Sequence, residues 1–291
     1  MLLRWAGVTF LFCILNSPCF AEEKEIAITI DDLPFVGSGS STPASLKRTQ
    51  ARFMAIVNAL VDNQVPATGF VIGEAVAKNE WDLLETFRNQ GFALGNHTYT
   101  HKSLNNMSAD KYIADIDRAD TVLAPVLTEP KYFRYPYLAE GTGQKKQKVY
   151  DYLAAHQYTI APVTIDSKDY EFNARFYRIP YRKRAQNLPA FKKRYLAYIW
   201  QQTLRAEKNA KGKNVKQILL IHANLLNSLC LEDIIEMYRK NGYKFISLAD
   251  ALKDNTAQSL NNNTEALNSV IPPLKESGQK SEVNKVSGKQ S

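Results

Sequence analysis

Two histidines, His97 and His101, lie four residues apart just after a short apolar run at Phe92–Leu94, in a chain with only four histidines. That spacing puts both imidazoles on one side if the segment forms a helical turn, and it is a common grip on zinc. Upstream, Asp31 and Asp32 close the β-branched run Ile26–Ile30. Adjacent strand residues point to opposite sides. The two carboxylates could therefore divide two tasks, one binding a metal and the other accepting a proton. An Asp-Asp pair followed by Leu33-Pro34 could equally make a turn or cap a helix. With the histidines, Asp32 completes a His-His-Asp set that leaves coordination positions for water and substrate. Zinc held in this way lowers the pKa of its water to about 7 and polarises a carbonyl.

Three further polar clusters follow apolar runs. In Arg134-Tyr135-Pro136-Tyr137, the arginine could orient a carboxylate through a charge-assisted bond. The Tyr137 peptide N–H could face a developing oxyanion, because Pro136 fixes the preceding turn. As a tetrapeptide it could equally be an ordinary loop. Asp166 and Asp169 flank Ser167-Lys168, and His222 ends Leu219-Leu220-Ile221. A histidine in that position is often a satisfied core residue, but a nearby aspartate would keep it protonated as a general acid. His156 sits on a helical stretch after Tyr150 and Leu153 and has no expected role.

The elements that must carry these residues alternate in type. Strand-like runs occur at Ile26–Ile30, Thr68–Ile72, Phe92–Leu94, Tyr132–Phe133, Thr159–Ile165, Gln217–Ile221 and Tyr243–Ile246. Helical periodicity marks Leu46–Val61, where Phe53, Ile56, Val57 and Leu60 share a face. Ser108 can cap a helix running toward Val122, and Glu232–Lys240 reads as another helix, ended by Gly242. Between Tyr170 and Lys216 basic and aromatic residues mix, as in Arg182, Lys183, Arg184, Lys193, Tyr181 and Tyr198. This stretch reads as a loop followed by a helix with a solvated basic face, although such residues could also hold a sugar or an acidic polymer. Seven strands alternating with helices predict a parallel α/β fold. No Gly-x-Gly-x-x-Gly follows the first strand, which removes the usual support for a dinucleotide fold. Polar clusters at the C-terminal ends of strands favour a barrel.

The termini differ from the middle. Arg4, an 11-residue apolar run Trp5–Leu15, Pro18 and the Cys19-Phe20-Ala21 site predict an export signal over 1–21. Residues 22–253 are expected to form one domain. Residues 254–291, rich in Asn, Ser, Lys, Gln and Glu, are expected to be a polar tail unable to bury enough apolar area to order itself. Cys13 and Cys19 fall in the signal, so Cys230 is left without a disulfide partner and reads as a core thiol. A hydrophobic content of 45% suits a full core, and a net charge of +8 fits attraction to an acidic polymer without implying nucleic-acid binding.

Taken in order, five clusters over about Ile26 to Leu252 resemble the polysaccharide deacetylase family, the NodB-homology domain. They are Thr29-Ile30-Asp31-Asp32, His97-Thr98-Tyr99-Thr100-His101, Arg134-Tyr135-Pro136-Tyr137, Asp166 to Tyr170, and Leu220-Ile221-His222. The resemblance implies a distorted (β/α)7 barrel. It implies Asp31 as general base, held by Arg134, and Asp32, His97 and His101 as metal ligands. It implies the Tyr137 N–H at the oxyanion, His222 as general acid tuned by Asp169, and Leu220 and Tyr170 lining the substrate pocket. Ile30, Tyr170 and Ala223 depart from the family pattern, where an aromatic, a tryptophan and an aspartate are usual. The first two put substrate fit in question. Asn224 and Asn227 could add polar contacts.

The expected activity is removal of N-acetyl groups from an amino-sugar polymer or oligomer of peptidoglycan or chitin type. The expected cofactor is a divalent metal, zinc first, with cobalt, nickel or manganese as alternatives. The expected partner is an acetylated carbohydrate, with no nucleic acid and no stable membrane insertion after signal cleavage. The expected location is the periplasm or the exterior. Two other readings stay open: hydrolysis of an O-acetyl ester or a non-sugar amide on the same fold, and an inactive glycan-binding module.

Overall fold

A computed structural model describes residues 23–35, 42–76, 80–211, 213 and 215–253. The expected export signal and the polar tail lie outside the described residues.

The sheet is built on β1 (Lys24–Leu33), whose residues from Ala27 to Asp31 are all buried. A strand covered on both faces reads as a continuous apolar run, which is how Ile26–Ile30 reads. Around it lie β2 (Ala67–Val71), β3 (Ala93–Asn96), β4 (Tyr132–Phe133), β5 (Thr159–Ile160), β6 (Ile165–Asp166), β7 (Gln217–His222) and β8 (Tyr243–Phe245). All pairings are parallel, in the order β5-β4-β3-β2-β1-β7-β6, with β8 on the start of β1. The sheet curls as a half-barrel that stays open between β5 and β6.

That opening explains one difference from the sequence reading, in which Thr159–Ile165 is a single strand. The segment instead divides at Ala161-Pro162-Val163-Thr164. Pro162 has no N–H to give to a ladder. Before it, the Ala161 N–H bonds back to Phe133 on β4; after it, the Thr164 N–H bonds to Ile218 on β7. The chain thus leaves one edge of the sheet and joins the other.

Helices surround the sheet: α1 (Pro43–Asp62), α2 (Trp81–Asn89), α3 (Ala109–Leu123), α4 (Gly143–Ala155), α5 (Asp169–Tyr177), α6 (Tyr181–Asn209) and α7 (Asn227–Lys240). The start of α1 is fixed by Thr42, whose side chain accepts from the Ser45 N–H, and by Pro43 in the first turn. Ser108 caps α3, and Gly242, at φ 77°, follows α7. Where the sequence reads as a loop, residues 169–177 form α5, because Asp169, Asn173 and Phe176 bury one helical face. The basic stretch of α6 is a solvated face: Phe191, Tyr195, Ile199 and Thr203 point inward at helical spacing while the charges face out. Cys230 is fully buried in the main core, and burial pushes its thiol up to about 12. No helix among the described residues is long and apolar enough to cross a membrane.

Candidate active site

The C-terminal end of β1 gathers the chemistry. Asp31 pairs in register with His222 on β7, so the two functional strands are direct neighbours. The register of β1 against β2 breaks between Ile30 and Leu33, and Asp32 there takes a left-handed conformation with φ 61°. This bulge corrects the expectation drawn from strand alternation. Asp31 and Asp32 do not diverge to opposite faces; both line one cleft.

The histidine pair is also placed differently from expectation. Residues 97–101 form a loop rather than a helical turn, with Thr98 at φ 63° and His101 at φ 53°. Four hydrogen bonds hold this conformation. Asn96 Oδ1 accepts the Thr98 N–H at 2.8 Å, Thr98 Oγ1 accepts the His101 N–H at 3.1 Å, and Asp115 Oδ2 accepts from the Thr100 N–H and hydroxyl at 3.0 Å each. The two imidazoles end with centroids 4.9 Å apart.

His97 Nδ1 lies 2.8 Å from the Arg134 carbonyl, which can only accept. Nδ1 therefore carries a proton, and Nε2 is the ring nitrogen that faces Asp32. Asp32 Oδ1 lies 3.5 Å from His97 Nε2 and 3.1 Å from His101 Nε2, yet it is buried without a hydrogen-bond partner. Burial alone would raise the Asp32 carboxyl, but His101 and His97, with His222 beyond, hold it well below the usual carboxylate range. A buried anionic oxygen faced by two imidazole nitrogens is satisfied by a cation. The donor atoms of Asp32, His97 and His101 all lie within 4.8 Å of one another. Two nitrogens and an oxygen so grouped fit a divalent transition metal, and they leave one side open to the cleft.

Arg134 lies behind the cleft with 1% of its surface exposed. Its Nη1 donates to both oxygens of Asp31, at 3.2 and 3.4 Å. Nη2 reaches Thr29 Oγ1 at 3.2 Å and the Pro162 carbonyl at 3.4 Å, and Nε gives a 2.7 Å bond to the Ala161 carbonyl. The guanidinium also stacks on Phe70 at 4.6 Å. Every edge of the fork is used, which fixes the orientation of Asp31 and compensates its charge.

On the other side, His222 Nδ1 lies 2.6 Å from Asp169 Oδ1, and its Nε2 lies 4.0 Å from Asp32 Oδ2. Burial alone would lower the His222 pKa, but Asp169, then Asp32 and Asp31, push it up to about 10. The imidazolium form is thus favoured, with Nε2–H available to the cleft. Asn224 and Asn227 do not project toward a substrate. Both are buried and donate to Asp169 Oδ2.

The cleft has a volume of about 460 Å³ and is lined by Asp31, Asp32, His97, His101, Tyr137, Leu138, Asp166, Lys168, Tyr170, Leu220 and His222. Of the ten residues to which the family resemblance assigns a site role, eight line it, and Arg134 and Asp169 stand directly behind it. The exposed Tyr137 ring packs on His101 at 4.7 Å, and Tyr170 meets His222 edge-on at 6.0 Å. Sequence reasoning missed Leu138 and Lys168 in the lining, Thr29 behind Arg134, and Asn96 and Asp115 under the histidine loop. Asn96, the polar end of an apolar strand and next to His97, was the detectable signal. Asp115 was hidden within a helical period. His156 caps the end of α4, stacked on Tyr152 and away from the cleft.

The comparisons with known proteins agree with this geometry. Residues 21–161 match the family model described as polysaccharide deacetylase. A chitin deacetylase of Colletotrichum lindemuthianum is 31% identical over 153 residues, 51% of this chain and 54% of that protein. A peptidoglycan-N-acetylglucosamine deacetylase of Bacillus cereus is 26% identical over 150 residues, 51% of this chain and 47% of that protein. The chain spans about half the length of these two curated relatives. Among solved structures, a polysaccharide deacetylase from Bacillus cereus superposes with TM-score 0.54 at 20% identity, covering 77% of this chain and 92% of that one. A CE4 family pseudoenzyme from Bacillus anthracis superposes with TM-score 0.55 at 17% identity, covering 80% and 66%. The chain shares the (β/α)7 fold of these structures.

Proposed function

We propose that this chain, which carries a polysaccharide deacetylase domain matched over residues 21–161, is an exported, metal-dependent hydrolase that removes N-acetyl groups from an amino-sugar polymer or oligomer. One observation carries the reading. A single cleft joins three metal donors, a carboxylate clamped by arginine, and an imidazole clamped by a carboxylate. The relatives named for chitin and peptidoglycan point to N-acetylglucosamine as the sugar. The fold alone is no argument for turnover, because one structural neighbour is a pseudoenzyme. The complete residue set is the argument.

A divalent metal held by Asp32, His97 and His101 would supply Lewis acidity, polarising the acetyl carbonyl and lowering the pKa of water. The chain's own residues do the rest. Asp31, oriented by Arg134, accepts the proton of the attacking water. The Tyr137 N–H, in the turn fixed by Pro136, donates to the oxygen on which negative charge develops. His222 gives its Nε2 proton to the departing nitrogen as the C–N bond breaks, while Nδ1–H stays on Asp169. Leu220 offers an apolar wall for the acetyl methyl, and Tyr170 borders the sugar.

The test is acetate release from N-acetylglucosamine oligomers, before and after chelation and after zinc is restored. Activity should disappear with the chelator, return with zinc and be lost in Asp31→Asn. Activity that survives both chelation and that substitution overturns the mechanism. Turnover of acetyl esters or small amides alone overturns the choice of substrate, and glycan binding without turnover at any metal loading overturns the enzyme reading.

A further inference from the structure

Asp169 is wholly buried and touches no substrate space, so what orients it governs the imidazole it holds. Its two oxygens are used very differently. Oδ1 faces His222 Nδ1 alone. Oδ2 accepts three donors: the His222 backbone N–H at 2.8 Å, Asn224 Nδ2 at 2.6 Å and Asn227 Nδ2. With Oδ2 saturated, the carboxylate cannot rotate to offer another oxygen to the ring.

Asn227, the first residue of α7, makes more of these contacts than any neighbour. Its second Nδ2 hydrogen goes to the His222 carbonyl at 2.9 Å, and its own N–H goes to Asn224 Oδ1 at 3.0 Å. Its Oδ1 accepts the Tyr195 hydroxyl at 2.9 Å. Tyr195 is completely buried and comes from α6, the long basic helix. One amide thus braces both members of the acid pair, and α6 fixes which way that amide faces.

We propose that Asn227, oriented by Tyr195, is a positioning residue for proton delivery, aiming His222 Nε2 at the leaving nitrogen. The inference rests on the deacetylase reading. It separates two kinds of reaction. An amine cannot leave without a proton, so amide hydrolysis needs His222 aimed. The 4-nitrophenolate of 4-nitrophenyl acetate leaves unprotonated and needs only the metal and Asp31.

The experiment compares wild type, His222→Ala, Asn227→Leu and Tyr195→Phe on penta-N-acetylchitopentaose and on 4-nitrophenyl acetate, all loaded with zinc. Asn227→Leu should lower kcat on the oligomer by about 10- to 100-fold, the size of loss seen when an outer partner of a working imidazole is removed. KM on the oligomer and turnover of 4-nitrophenyl acetate should stay within about twofold of wild type. Tyr195→Phe should show the same one-sided loss at about threefold, the worth of one neutral hydrogen bond, and it carries the test if Asn227→Leu fails to fold. Equal losses on both substrates, or no loss on either, overturn the inference. Two outcomes mark failure of the underlying reading instead: wild type that releases no acetate from the oligomer, or His222→Ala that loses both activities alike.

Discussion

Replacing Arg134 with methionine should destabilise the chain more than almost any other single change behind the cleft. The side chain has 1% exposure and uses its whole fork on Asp31, Thr29 and the carbonyls of Ala161 and Pro162. Methionine fills similar volume beside Phe70 but leaves Asp31, at 3% exposure, without its cation. Removing one partner of a buried pair costs about 3–5 kcal/mol, because the other charge stays buried and uncompensated. For a domain of this size, a loss of that magnitude lowers Tm by about 6–20 °C. The assay is thermal or urea unfolding of Arg134→Met, Asp31→Asn and the double variant. Neutralising Asp31 removes the stranded charge, so the double variant should regain part of what Arg134→Met loses. An Arg134→Met variant within about 1 kcal/mol of wild type, or strict additivity in the cycle, refutes the buried-clamp reasoning.

Zinc at about a thousandfold excess over its Kd should stabilise the folded chain by about 4 kcal/mol. Scanning calorimetry with and without the ion should show that shift in wild type and not in His101→Ala. His222 is raised from 6.5 to about 10, so its ionic contacts contribute fully below pH 6.5 and are lost as the pH rises toward 10. In metal-free protein, stability measured by urea unfolding should fall across that window, and Asp169→Asn should flatten the fall. Cys230, buried with its thiol pushed up to about 12, should react with a thiol reagent only after unfolding. Rapid labelling of Cys230 in the native chain at pH 8 would contradict its burial.

The strands and the polar clusters at their ends were legible because both obey simple rules. A buried parallel strand reads as an apolar β-branched run, and Ile26–Ile30 and Gln217–Ile221 do so. Chemistry-bearing residues placed at strand ends appear as polar breaks after such runs, and Asp31, His97, Arg134, Asp166 and His222 do so. What was not legible lies where contacts, rather than periodicity, decide. Pro162 splits a run that reads as one strand, because two sheet edges compete for the amides on either side of it. Residues 169–177 are helical because Asp169, Asn173 and Phe176 find partners across the core. Asn224 and Asn227 look like site residues from their position, but a buried carboxylate, invisible in the local pattern, draws both inward.

The positions where local rules fail have a common backbone property. Nine non-glycine residues take positive φ among the described residues: Asp32, Gln64, Thr98, His101, Tyr137, Leu138, Gln157, Lys168 and Lys211. Gln64, Gln157 and Lys211 come just after helices α1, α4 and α6, where a left-handed residue commonly ends a helix. The other six belong to the cleft: five line it, and Thr98 sits between the two histidines. Each costs roughly 1–3 kcal/mol and persists only because its surroundings fix it. Asp32 shows what that strain achieves. On a regular strand it would point away from Asp31, and one chain segment could not supply both a metal ligand and a base to the same space. The left-handed bulge turns it inward beside Asp31, while the loop from His97 to His101 brings two nitrogens to its orphaned oxygen. The energy stored at these turns is offset by the core beneath β1, and it places a cation site and a proton acceptor on neighbouring residues.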